Sequence, residues 1–304
     1  MTERRIRVAI GVTVYNEERN LDALLGRLAE ASERVAEVRQ IVVVSSGSTD
    51  ATVDIARRWA AKDARVEVII DTERRGKATA INQLLGALRD DVEICVQVGG
   101  DLLPELDAID ALAAAFRDPR VGMAGAHPVP ANPRTGWIPR VVHLQWELHH
   151  RISSRHPKMG EMVAFRANVP PLDPRTAVDE AWLETVAVGR GQELRYVPDA
   201  VVHNLGPTTA AELVAQRRRI FCGHLWLRRT RAYEVSTFRA RSLLGAAGRH
   251  LVERPADAPA LALAAALELG ARALGTFDFL RGRQPTVWRA IDGTKGPIHP
   301  EPRR

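Results

Sequence analysis

Apolar positions change their spacing along this chain in a regular order. Residues 7–14 form a largely apolar run and are followed by Tyr15 and Asn16. Leu21, Leu24, Leu25 and Leu28 then recur three and four apart, which places them on one face of a helix. Residues 40–44 are apolar after the first, the pattern of a short strand buried on both faces. The turn Ser45-Ser46-Gly47-Ser48 follows, and Asp50 begins or caps a helix that turns Ala51, Ile55, Ala56 and Trp59 inward. The alternation continues with a strand at 66–70, an amphipathic helix at 77–88, a strand at 94–98, a helix at 106–116 and a fifth strand at 121–124. Four strand–helix units in succession predict an α/β fold, with a mostly parallel central sheet and helices on both faces.

Beyond residue 125 the pattern loosens. Residues 128–139 are proline-rich and read as a long loop or a boundary. Helices are predicted over 141–152 and 181–188, with a short strand at 194–197 between the second of these and a helical region that starts at Ala210 and becomes increasingly basic. A last helix, rich in alanine and leucine, covers residues 258–280. Glu268, Arg272 and Asp278 interrupt it, which argues against a simple membrane span. Two readings of it stand: a core or dimer helix, or a helix lying against a membrane surface with arginines on the headgroups.

With 304 residues, 45% of them hydrophobic and 26% charged, the chain is globular and long enough for a sizeable core. Cys95 and Cys222 lie far apart without partners at metal-ligand spacing, so neither a disulfide scaffold nor a zinc site is indicated. The N-terminal residues run straight into a strand without the apolar core and cleavage site of a secretory leader. A reducing, cytoplasmic setting is therefore expected. The net charge of +6 is unevenly spread: residues 215–249 hold nine arginines against one acid, Glu234. Anionic lipid, a phosphorylated substrate, nucleic acid or a merely solvated face all fit such a field. Nucleic acid is the weakest of these, because no recognised reading motif accompanies the interleaved aromatics.

An open parallel sheet binds ligands beyond the carboxyl ends of its strands. The first strand ends near Thr13, Tyr15 and Glu17, the second at Ser45-Ser46, and the fourth at Gly99-Gly100-Asp101. Polar and conformationally permissive residues thus gather at one edge. Two glycines before Asp101 let a ligand approach closely, and its carboxylate suits a divalent ion bound to a diphosphate, or else it caps the next helix. Lys77, after Arg74-Arg75-Gly76, brings positive charge to the same phosphates or is a surface lysine at a helix start. Asp179 is a candidate helix cap, and its neighbour Glu180 a candidate proton acceptor. No GxGxxG follows the first strand, and neither a GxxxxGK[ST] loop nor HExxH is present. Dinucleotide dehydrogenase chemistry is accordingly disfavoured.

Taken together, these motifs resemble the inverting family 2 glycosyltransferases of GT-A fold, over roughly residues 7–225. Val12-Thr13-Val14-Tyr15-Asn16-Glu17-Glu18 is similar to the family's V-x-x-Y-N-E-E element, and Ser45-Ser46-Gly47-Ser48-Thr49-Asp50 to its D-D-G-S-T-D turn. Arg75-Gly76-Lys77-Ala78 with Asn82 resembles R/N-G-K-x-x-A-x-N. Gly99-Gly100-Asp101 stands where D-x-D is expected, Asp179-Glu180 where E-D is expected, and Gln216 to Ile220 resembles Q-x-x-R-W. The resemblance implies that Thr13, Tyr15 and Glu17 border the nucleoside pocket. It implies Ser45 near the base, Lys77 near that pocket or the phosphates, and Asp101, beside Gly100, on Mg²⁺ or Mn²⁺. Glu180, with Asp179 beside it, would be the general base, and Gln216 and Arg219 would approach the acceptor or the diphosphate. The implied reaction is a single displacement moving a sugar from a nucleoside-diphosphate donor, UDP by default, to an acceptor hydroxyl.

The departures are specific. Gly99 replaces the first Asp of D-x-D, serines replace both acids of the turn, Ile220 replaces Trp, and Glu180 stands for Asp. Residues 275–283 and 288–295 resemble the tails of members acting on lipid-linked or exopolysaccharide acceptors. A catalytic domain over 1–225 and a helical, basic extension over 226–304, membrane-peripheral or oligomerising, are expected. The competing readings are an inactive nucleotide-sugar-binding protein and a nucleotidyltransferase acting on sugar phosphates.

Overall fold

The computed structural model describes residues 4–238, 240–284, 286–287 and 292–299. The N-terminal half alternates as its pattern predicts: β1 (Ile6–Val14), α1 (Leu21–Ala29), β2 (Ala36–Ser46), α2 (Thr52–Lys62), β3 (Val66–Asp71), α3 (Lys77–Gly86) and β4 (Ile94–Gly99). There follow β5 (Leu102–Pro104), α4 (Ala108–Ala115), β6 (Val121–Pro130), α5 (Trp137–Ser153) and β7 (Val163–Arg166). The chain continues with α6 (Asp179–Gly189), β8 (Glu193–Asn204), α7 (Ala210–Arg231), α8 (Ala240–Glu253) and α9 (Ala258–Leu280).

One eight-stranded sheet runs in the order β3-β2-β1-β4-β7-β6-β8-β5. Strands β1 to β4 are mutually parallel, so their carboxyl ends share one edge. β7 runs antiparallel to both β4 and β6, and β5 antiparallel to β8, which makes the far half mixed. Neither strand was legible beforehand: at four and three residues they are too short for a period to show. The proline-rich stretch read as a loop is partly strand, because β6 continues through Pro128 and Pro130 beside β8. β7 pairs with β6 only over residues 123–125, so the two prolines occupy a stretch where their missing donors cost no ladder bond on that side.

Burial explains the strand pattern. Ile10, Val12, Ile41, Val43, Val96 and Val98 face one core beneath α1 and α4, while Val42, Val44 and Cys95 face a second core with α3 and α6. A third core joins α5, α7, α8 and α9 through Val141, Leu148, Leu213, Ala246 and Ala264. Residue 225 falls inside α7, which α9 clasps through the ion pairs Arg217–Glu268 at 2.8 Å and Arg218–Asp278 at 2.5 Å. Cys95 and Cys222 are both free and buried.

Candidate functional site

The loop after β1 is locked to the loop after β2 by short polar side chains. Asn16 adopts a left-handed conformation at φ 53°, which Asn tolerates better than most residues. Its Oδ1 accepts from the Thr49 amide at 2.8 Å, and its own amide donates to Ser48 Oγ at 3.1 Å. The Glu17 amide donates to Thr52 Oγ1 at 2.7 Å. Two strand ends are thereby fixed side by side, as a ligand site at this edge requires.

Beyond them lies a cavity of about 620 Å³. Thr13, Tyr15, Glu17, Lys77, Gly100, Asp101, Asp179, Glu180, Gln216 and Arg219 all line it. Ser45 does not; it is fully buried at the end of β2, with its Oγ 2.9 Å from that of Ser48. Ser46 lines the cavity in its place, since successive strand residues face opposite ways.

One wall is acidic. Burial and the Asp101 carboxylate push Glu17 up to about 7, against the pull of Lys295. Burial, Asp101 and Glu180 together push Glu161 up to about 7 as well. A Cβ on Gly100 would lie 2.7 Å from Val14 Cγ1, so only glycine passes between β1 and Asp101. A Cβ on Gly99 would lie 2.7 Å from Asp101 Oδ1, so an acid at the first position of D-x-D would require the Asp101 carboxylate to turn away from its present position. Among the described residues no three acids, histidines or cysteines form a complete metal cage. Asp101 with Glu17 beside it offers one or two oxygens, which suits an ion that takes its remaining ligands from phosphate and water.

The opposite wall is built on Lys77, at the start of α3, and on the first turn of α6. Lys77 Nζ stands 2.7 Å from Asp179 Oδ2 and 2.9 Å from Glu180 Oε1. Burial alone would lower the ammonium's pKa, but the two carboxylates outweigh it and the pKa rises. Burial and Glu180 raise Asp179, whereas for Glu180 the ammonium overcomes burial and holds it below the ordinary carboxylate range. Lys77 is thus committed to the acidic pair, and Glu180 is held ionised. Arg219 faces the same space: burial draws it down to about 10 although Asp179, Glu180, Glu161 and Asp101 all oppose the shift, so it stays cationic at neutral pH.

Four further residues complete the site. Glu161 lines the cavity in a left-handed conformation at φ 59°. Lys158, also lining it, is lowered by burial. Glu184 holds that loop, accepting from the Met159 amide at 2.8 Å and from Tyr233 Oη at 2.8 Å. Lys295 donates to Glu17 Oε1 at 2.6 Å, to the Asn16 carbonyl at 2.9 Å and to the Tyr15 carbonyl. Glu184 was within reach of the sequence, one helical turn from Glu180 on α6. Nothing in the pattern marked Glu161 or Lys158. Lys295 belongs to the tail segment 288–295, of which residues 288–291 lie outside the described residues.

The family model for glycosyl transferase family 2 matches residues 9–168. The chain belongs to this family. The match spans the parallel strands and Asp101 and ends before Asp179-Glu180, Gln216 and Arg219. Among solved structures, the chain is similar to the mannosyltransferase PcManGT from Pyrobaculum calidifontis, determined with GDP-Man and Mn²⁺. That similarity has a TM-score of 0.65 and 22% identity, over 92% of this chain and 89% of that one. It is also similar to glucosyl-3-phosphoglycerate synthase from Mycobacterium tuberculosis, determined with Mg²⁺ and UDP, at a TM-score of 0.52 and 17% identity, over 76% and 81% of the two chains. At these identities the likeness is one of fold, and the GT-A architecture is the one they share. No curated protein matches the sequence.

Proposed function

We propose that this family 2 protein moves a sugar from a nucleoside-diphosphate donor to an acceptor hydroxyl, in one displacement that inverts the anomeric centre. The observation that carries this reading is that Glu180, held ionised by Lys77, opens into the same cavity as Asp101. The donor nucleotide lies at the ends of β1 and β2, where Thr13, Tyr15 and Glu17 border the cavity. Its diphosphate faces Asp101. A Mg²⁺ or Mn²⁺ ion there, which the structures of the two similar proteins contain, would neutralise the departing diphosphate. Glu180 takes the proton of the acceptor hydroxyl as its oxygen bonds to the anomeric carbon, and the bond to the diphosphate breaks. Even a carboxylate held below the ordinary range suffices when the hydroxyl loses its proton only as that bond forms. Arg219, fixed on α7, offsets the charge growing on the leaving group. Gln216 on the same helix faces the acceptor side.

The test is a panel of UDP-, GDP- and dTDP-sugars, with nucleoside diphosphate release measured with and without divalent ion. One nucleotide class should be turned over, with activity lost on chelation and reduced at least tenfold in Asp101→Asn. Release that is indifferent both to chelation and to Asp101→Asn contradicts the metal assignment. Binding without release from any donor would favour a sensor over a transferase.

We further propose peripheral contact with an anionic membrane on the cytoplasmic side. Residues 255–280 are long and apolar enough to cross a bilayer, with a mean hydropathy of 1.4 over an 18-residue stretch, yet Glu268 and Asp278 of α9 are tied to arginines of α7. Leu269, Phe277 and Leu280 remain exposed on that helix. A helix docked on its own protein and apolar on its outer side suits lying on a surface better than spanning it.

A further inference from the structure

The cavity does not end at the catalytic carboxylate. Beyond Glu180 and Arg219 it continues between α5, α8 and α9, and its lining changes character. Leu148 and Ile152 of α5, Leu243 and Leu244 of α8, and Leu261 and Ala264 of α9 form this continuation. The direction is set by α9. Glu268 faces Arg217 at the catalytic end, Ala264 lies one turn back on the same face, and Leu261 one further turn back beside α8. From Glu268 to Leu261 the groove therefore runs about 10 Å. It opens at Leu244, which is 71% exposed although it lines the cavity.

Where groove and catalytic site meet, α5 presents His149. Its side chain is 9% exposed and lines the cavity, and its Nδ1 has no hydrogen-bond partner among the described residues. Its Nε2 lies beside Gly160, one residue from Glu161, where an added Cβ would approach to 3.4 Å. Burial lowers the imidazole's pKa well below its ordinary value, leaving a neutral polar group. A buried polar atom without a partner is costly unless a ligand meets it.

We propose that the acceptor is an amphiphile whose hydroxyl-bearing head sits between Glu180 and His149 and whose apolar chain lies in the groove between α5, α8 and α9. This rests on the donor reading above, because the donor occupies the β1–β2 end and leaves the acceptor only the other. Gln145, Glu268 and Arg272 also line the cavity, but the stretch formed by Leu148, Ile152, Leu243, Leu244, Leu261 and Ala264 offers a saccharide no hydroxyl or amide partner from its side chains. An apolar chain gains where a sugar would lose. The open end at Leu244 admits a chain longer than the groove.

The test is calorimetric titration of the whole chain with n-alkyl glucosides from butyl to octyl, each below its micelle concentration. Each sequestered methylene should tighten binding about fourfold, the equivalent of about 0.8 kcal/mol. Affinity should thus rise on the order of a hundredfold across the series. Ala264→Trp, which fills the groove, should abolish the chain-length dependence. Ala265→Trp, at an exposed position that also lines the cavity, repeats the test should the first variant not fold. A gain of less than tenfold across the series, or one that persists unchanged in a folded groove-filling variant, overturns the proposal. Nucleoside diphosphate binding with Mn²⁺, titrated in the same samples, separates the two readings. Its absence contradicts the donor site, whereas its presence with a flat chain-length profile contradicts the amphiphile alone.

Discussion

Lys77 is the residue on which the proposed catalytic wall turns. Its ammonium is paired with both Asp179 and Glu180, at 2.7 and 2.9 Å. Removing one partner from a buried ionic group costs more than the group contributes when intact, because a charge is left without compensation. Lys77→Met should therefore destabilise the protein by about 3–5 kcal/mol in denaturant unfolding at neutral pH. Adding Asp179→Asn should return part of the loss; a loss under about 1 kcal/mol would show that the pair tolerates its own repulsion. Glu161 offers a second check. Its folded pKa of about 7 stands above its ordinary 4.5, so the folded protein holds the extra proton between those values. Wild-type stability should fall as pH rises from about 4.5 to 7, and Glu161→Gln should escape that loss. In urea unfolding the variant's advantage should be larger at pH 8 than at pH 5, by on the order of 1 kcal/mol. An equal difference at both pH values would place the carboxyl in an ordinary environment. The sequence carried Asp101, Asp179, Glu180 and Lys77 because each sits at the end of a periodic element. It carried nothing of Glu161, whose left-handed backbone on a loop leaves no period behind. Nor did it show the pairing of Lys77 with Asp179 and Glu180, since charge pairing across about a hundred residues is not written locally.

At the scale of elements, long periods were legible and short ones were not. The limits read for the last helix, 258–280, coincide with α9, and the strand ends that build the site fell within two residues of those observed. The basic region after Ala210 proved to be two helices, α7 and α8, separated at Ala232 by a left-handed turn at φ 52° that composition alone did not announce. What joins α7 to α9 is a close approach at Gly275, where a Cβ would stand 2.8 Å from the Arg218 carbonyl oxygen. Backbone cannot yield as a side-chain end can, so Gly275→Val should push α9 away and cost about 1–3 kcal/mol. A drop in melting temperature, together with loss of the Arg217–Glu268 coupling in a double-mutant cycle, is the expected reading. A neutral substitution would show that the two helices are held apart more loosely than drawn.

Across the whole molecule the labour is divided by layer. The parallel half brings four strand ends to one edge, where the proposed donor site lies. The antiparallel β7 and the loop after α5 carry Lys158 and Glu161 into it, and the helices α5, α7, α8 and α9 close the far side. The apolar outer side of α9 and the arginines around it predict cosedimentation with vesicles that contain anionic lipid, at low ionic strength. Binding should fall steeply as salt is raised and be weak on zwitterionic vesicles. Absence of vesicle binding, with a concentration-dependent dimer in sedimentation, would assign that side to a second copy of the chain. The partition between donor binding and proton transfer is tested most directly by single-turnover transfer with Glu180→Gln, alongside nucleoside diphosphate affinity in the same variant. The arrangement of Lys77, Glu180 and Asp101 predicts a rate reduced roughly 10²–10⁴-fold with nucleotide affinity within a few-fold of wild type. Transfer at the wild-type rate would contradict it.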